Sequence, residues 1–184
     1  MKKVFLIIIA LVAVGIVAFY FMSKNQYDFN LRSAFKEQTT LEDFKGKKLI
    51  VYFGYTFCPD ICPSTLSLIG RNLKTLKDPK AHILFISLDI SRDGNLTSTN
   101  EWLRYFYPNA DALIAKDDSI LKKVAKNYGV QYKKIDINDS VMKYSVAHSS
   151  EIFLIDENGK LQKVIRDLNP EEVAKELKIF LSSK

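Results

Sequence analysis

The chain has 184 residues, 47% of them apolar and 26% charged, with a formal net charge of +6. This length suits one domain with its own hydrophobic core, and the composition excludes disordered, collagen-like and low-complexity classes. Basic residues are interleaved with acidic ones, as in Lys77-Asp78 and in Glu171-Glu172 with Lys175, which describes a solvated surface and not a nucleic-acid-binding stripe.

Residues 4–22 are nineteen uncharged, mostly apolar residues behind Lys2 and Lys3. As a helix they would extend roughly 28 Å, close to the hydrocarbon thickness of a bilayer. The stretch ends in Phe19-Tyr20-Phe21-Met22 and not in a small-residue cleavage site, so it predicts a retained anchor with an aromatic interface. Lys2, Lys3 and the α-amino group outnumber Lys24 on the far flank, which points the N-terminus to the cytoplasm. An Arg- and Ser-rich amphipathic presequence is missing, and no lipobox-like cysteine follows. The expectation is a single-pass N-terminal transmembrane helix, residues 1–24, in a bacterial inner (cytoplasmic) membrane. A domain of residues 25–184 would then lie on the periplasmic or external side.

Residues 23–45 are polar and mixed, and read as a tether with an irregular or hairpin-forming entry. Leu49-Ile50-Val51-Tyr52-Phe53 is a continuous apolar run suited to a central strand buried on both faces, closed by Gly54. After Tyr55-Thr56-Phe57-Cys58-Pro59-Asp60-Ile61-Cys62-Pro63, the residues Leu66, Ile69, Leu73 and Leu76 recur at helical spacing up to Lys77. Asp78-Pro79 breaks that helix, and residues 82–89 supply a second apolar run, completing a β-α-β unit with parallel strands. A helix over 97–107, a short strand over 111–115 and a helix over 119–128 ended by Gly129 follow. Residues 151–155 and 161–165 then flank Asp156-Glu157-Asn158-Gly159-Lys160 as an antiparallel hairpin, its Asn-Gly suited to a tight turn. Asn169-Pro170 opens a last amphipathic helix through Val173, Leu177 and Leu181. This order predicts an α/β thioredoxin-like fold, a central mixed sheet flanked by helices, with the cysteines at the end of the first central strand. The helix over 97–107 reads as an extra element between the two halves.

Cys58 and Cys62 are the only cysteines, which excludes a framework of structural disulfides. Spaced i and i+4, they would lie on one side of a helical turn if the loop coils there, with Pro59 and Pro63 restricting it. A helix starting nearby would offer free N–H groups to the sulfurs and lower the thiol pKa. Thiolate is a soft ligand suited to Cu(I), and imidazole accepts either copper oxidation state, so two cysteines and a histidine make a copper set. The same pair is close enough to form a disulfide, a state incompatible with holding metal.

The run from Gly54 to Pro63 resembles the cysteine signature of the Sco/SenC family, copper proteins that take part in assembling the dinuclear copper centre of cytochrome c oxidase. Tyr144-Ser145-Val146-Ala147-His148-Ser149, and Phe153-Leu154-Ile155-Asp156 with Gly159, are similar to that family's histidine segment and hairpin. The resemblance covers residue 27 to the C-terminus and implies a third-ligand role for His148 beside Cys58 and Cys62. It also implies copper, as Cu(I) or Cu(II), and the oxidase's copper-bearing subunit as partner. Two segments depart from the family pattern. Around Asp89-Ile90-Ser91-Arg92-Asp93-Gly94 the usual proline and threonine are missing while Arg92-Asp93 persists, and Ala147 stands where an aspartate is common.

The leading reading is a copper metallochaperone, not a turnover enzyme. The alternative is a membrane-anchored thiol-disulfide oxidoreductase that reduces the oxidase copper-site cysteines through Cys58 and Cys62 without needing His148. A peroxiredoxin-type peroxidase lacks its catalytic loop here, and a metal-free binding module is the residual case. His82 is assigned no role, Asp60 reads as a first-turn acid, and Trp102, Phe106 and Tyr107 read as core and rim.

Overall fold

The computed structural model describes residues 25–137 and 141–183. The predicted anchor, residues 1–24, lies outside them; among the described residues no helix is long and apolar enough to cross a membrane.

A five-stranded mixed sheet forms the centre, in the order β3-β2-β1-β6-β7. Its strands are β1 (Lys48–Gly54), β2 (Ala81–Ser87), β3 (Ala110–Leu113), β6 (Ile152–Ile155) and β7 (Leu161–Ile165). β1, β2 and β3 run parallel, whereas β6 runs antiparallel to β1 and to β7. Every residue of β1 and β2 is buried, as two-sided apolar strands require. Even Lys48 is buried, its Nζ donating to the carbonyls of Leu181 and Ser183 at 2.7 Å each. This lysine supplies a cation to the end of the last helix, where backbone carbonyls lack partners.

The helices are α1 (Ile61–Leu76), α2 (Ile90–Asp93), α3 (Leu96–Phe106), α4 (Asp118–Tyr128) and α5 (Pro170–Ser182). α1 ends on Lys77 in the left-handed conformation, one residue before the predicted breaker. Asn95, Asp117 and Asn169 cap α3, α4 and α5 by accepting backbone N–H groups, and Pro170 takes the first turn of α5. α1 packs against α3 and α5 on one side. On the other, Tyr128 of α4 meets Phe53 and Phe153 at ring separations of 5.0 and 5.1 Å. This is the predicted thioredoxin-like plan. The helix read as an extra element proves to be the crossover that returns the chain from β2 to the parallel edge strand β3.

The entry segment, read as irregular or hairpin-forming, bridges Leu31 to Thr39 in antiparallel fashion and carries Phe29, Leu31, Leu41 and Phe44 into the core, residues too widely scattered in sequence to show a period. Two local features differ from the sequence reading. At the 156–160 turn only Gly159 has positive φ, 78°, so this is not the two-residue turn with both central residues left-handed; Asp156 Oδ1 instead accepts the Asn158 and Lys160 amides. Finally, β4 (Tyr132–Asp136) and β5 (Tyr144–His148) form a separate antiparallel ribbon that the sequence reading did not foresee. Its strands are short and mostly solvent-facing, so no buried run advertises them.

Candidate metal centre

Gly54 ends β1, and the chain turns through residues 55–60 into α1. Cys58 sits in that turn, its amide donating to the Tyr55 carbonyl at 3.2 Å, and is partly exposed. Cys62 sits in the first turn of α1, fully buried against the sheet. Its amide donates to Cys58 Sγ at 3.4 Å, so the chain coils between the cysteines as predicted and one free helix N–H reaches a sulfur. Asp60 is exposed and accepts the Ser64 hydroxyl at 3.2 Å; it stands at the N-cap of α1, one residue before the first turn in which the sequence reading placed it, and its side chain caps no backbone N–H.

His148 arrives on the last residue of β5, paired with Tyr132 of β4. Its Nε2 lies 3.5 Å from Cys62 Sγ, and ligand atoms of Cys58, Cys62 and His148 all lie within 4.8 Å of one another. His148 Nδ1 is 2.8 Å from the Ser149 carbonyl, an acceptor only; Nδ1 therefore carries the proton and Nε2 presents its lone pair to the sulfurs. That carbonyl orients the ring, a task for which the exposed Ala147 has no side chain. Burial holds the His148 pKa below its ordinary 6.5, so the ring is neutral at pH 7.

The Cys62 thiol corrects an expectation. A helix start was predicted to lower the thiol pKa, but burial pushes Cys62 up to about 12. The helix N–H groups act within the first turn, while loss of water around a fully buried sulfur outweighs them.

One turn of helix connects the two halves of the site. Asp93, buried at the end of α2, accepts the Thr56 amide at 3.1 Å, the Thr56 hydroxyl, and the Ser87 hydroxyl at 2.7 Å. Arg92 Nη2 donates to the carbonyls of Met142 and Tyr144 at 2.5 and 2.8 Å. Its guanidinium lies 3.6 Å from the Tyr144 ring centre and 5.2 Å from that of Phe57. Asp89, fully buried, accepts the Tyr144 hydroxyl at 2.8 Å, with Arg92 Nε 3.5 Å away. Asp93 thus holds the cysteine loop and Arg92 with Asp89 holds the histidine ribbon. The persisting Arg92-Asp93 pair was the signal for this clamp; its partners were not legible. His82, given no role, forms a buried pair with Asp111 at 2.9 Å, and Asp111 also accepts from Arg104 at 3.0 Å.

Two sulfurs and a neutral imidazole nitrogen converging from two elements form a donor set of the soft type that suits copper. The profile of the SCO1/SenC family matches residues 20–182. A SCO2-like protein of Rickettsia felis is 34% identical over 154 residues, covering 82% of this chain and 74% of that protein. The structure of Bradyrhizobium japonicum ScoI with copper bound matches at TM-score 0.70 and 33% identity, covering 83% of this chain and 97% of that one. The crystal structure of Arabidopsis thaliana ScoI with copper bound matches at TM-score 0.75 and 27% identity, covering 84% and 96%.

Proposed function

The chain belongs to the SCO1/SenC family, and from that premise we propose that it is a copper metallochaperone, binding the ion as cargo through Cys58, Cys62 and His148. The recipient in this reading is the copper-bearing subunit of cytochrome c oxidase. Residues 1–24 anchor the chain in a bacterial inner membrane, and the domain from residue 25 onward faces the periplasmic or external side. The convergence of three ligand atoms within 4.8 Å carries the reading, and relatives solved with copper bound support it.

The residues divide the work. Cys62 and His148 are held by the fold, whereas Cys58 sits in the partly exposed turn where an incoming thiolate can reach it. Transfer by ligand exchange would start at Cys58: an acceptor thiolate replaces its sulfur, and Cys58 takes up a proton as it leaves. Binding reverses the balance, each thiol releasing its proton as it becomes a ligand.

The second reading, thiol-disulfide exchange, draws on the free cysteines and the Cys62 N–H directed at Cys58 Sγ. Cys58 thiolate would attack the partner's disulfide, Cys62 would resolve the mixed disulfide, and two electrons and two protons would pass to the partner. The discriminating experiment is copper titration of the reduced full chain in detergent, wild type against His148→Ala. Wild type should retain one copper per chain, and the variant should lose it while still reducing a model disulfide. Wild type that fails to hold stoichiometric copper overturns the metal reading in favour of exchange.

A further inference from the structure

Tyr52 lies in the middle of β1, its side chain fully buried, and its hydroxyl has no hydrogen-bond partner among the described residues. Leaving a buried hydroxyl unsatisfied weakens the fold, whereas phenylalanine would occupy the same space without that cost. A feature that weakens the resting fold needs a state in which it is used.

The surroundings identify that state. Tyr52 and Gly54 are two residues apart on one strand and so face the same side of the sheet, the side covered by the first turn of α1. A Cβ placed on Gly54 would lie 2.9 Å from Cys62 Sγ and 3.2 Å from Tyr52 Cε1, which brings the phenol ring and the sulfur together over that glycine. Cys62, Thr65 and Ser150 are the polar side chains near the phenol, and none of them meets it in hydrogen-bonding geometry. Among these, Cys62 changes most when metal binds. A neutral thiol is a weak acceptor, but a sulfur that has given its proton away and bound a cation is an anionic one, and hydrogen bonds to ionised acceptors are roughly twice as strong as neutral ones.

We propose that Tyr52 is a positioning residue whose hydroxyl donates a hydrogen bond to Cys62 Sγ when that sulfur is a metal ligand, a bond unmade in the metal-free dithiol. The inference rests on the copper reading and adds to it a residue that touches the ligand and not the metal. It assigns Tyr52 opposite effects in the two states: a cost to the free fold and a gain to the loaded one.

The test is Tyr52→Phe in the full chain in detergent, with Tyr128→Phe as control, because the Tyr128 hydroxyl does have a partner, the Tyr27 carbonyl at 2.7 Å. Three readouts are taken: thermal denaturation of the copper-free dithiol protein, Cu(I) affinity against a competing chelator, and the sulfur-to-copper charge-transfer band of the Cu(II) form. Tyr52→Phe should leave the copper-free melting temperature equal to or above wild type, weaken Cu(I) affinity by about 10–100-fold and move the band to lower energy. Tyr128→Phe should lower the melting temperature and leave affinity and band unchanged. Affinity within twofold of wild type, or equal loss of stability with and without copper, would overturn the role of Tyr52 while leaving the copper site standing. Wild type that binds no copper would instead remove the reading beneath it.

Discussion

Gly54→Ala puts the packing between the sheet and Cys62 to a direct test. The backbone at Gly54 is not in the left-handed region, so alanine is conformationally permitted there. Were the space open, the change would stabilise the fold by about 0.4–1 kcal/mol through the unfolded chain. The space is not open. The added methyl would meet Cys62 Sγ at 2.9 Å, Phe85 Cε2 at 3.0 Å and Tyr52 Cε1 at 3.2 Å, and two of these are fully buried rings that cannot yield to solvent. Overpacking of this kind costs about 1–3 kcal/mol, so the net effect is a loss of up to about 2.6 kcal/mol, lowering the melting temperature by a few degrees at about 2–4 °C per kcal/mol. The shortest contact is to the proposed ligand sulfur, so copper affinity should fall as well, by about tenfold or more. Denaturant unfolding and chelator competition on the full chain measure both. Combining the change with Cys62→Ala should recover part of the stability cost, since the tightest contact is gone. A Gly54→Ala protein as stable as wild type or more so, with copper affinity intact, would show that Cys62 does not sit against β1 as described.

Arg92→Lys should fail to replace arginine, because an ammonium cannot both donate to the two carbonyls and stack between Phe57 and Tyr144. Amide hydrogen exchange should rise over Tyr144–His148 and copper affinity should drop, with the core strands unaffected; unchanged exchange there would refute the clamp. Copper affinity should also rise with pH. The Cys62 thiol, pushed up to about 12, keeps its proton throughout the neutral range and must release it on binding, giving about a tenfold gain per pH unit from that group between pH 7 and 8. The His148 ring, its pKa held below 6.5, should add no further slope until the pH falls below that value. In the copper-free fold the raised thiol pKa works the other way: the stability linked to it is complete below 9.0 and is lost as the pH climbs towards 12, which alkaline denaturation of the reduced protein would register.

The β-α-β unit, the closing hairpin and the last helix were legible in the chain because each declares itself locally. A two-sided apolar run can only be a buried strand or helix core, Leu66, Ile69 and Leu73 repeat at the helical period, and Asn169-Pro170 carries its own start signal. The four-residue spacing of the cysteines likewise determined that their sulfurs would be neighbours, since a single turn of chain brings them together. His148 is of another kind: it lies 86 residues from Cys62, and only its family resemblance, not its spacing, suggested a shared task. Its approach was decided by the β4–β5 ribbon and by Arg92 and Asp89 gripping Tyr144, contacts between segments distant in sequence. The acidity of Cys62 was likewise decided in three dimensions. Local spacing specifies which side chains share a face, but desolvation depends on what finally covers that face, and no repeat in the sequence encodes the cover.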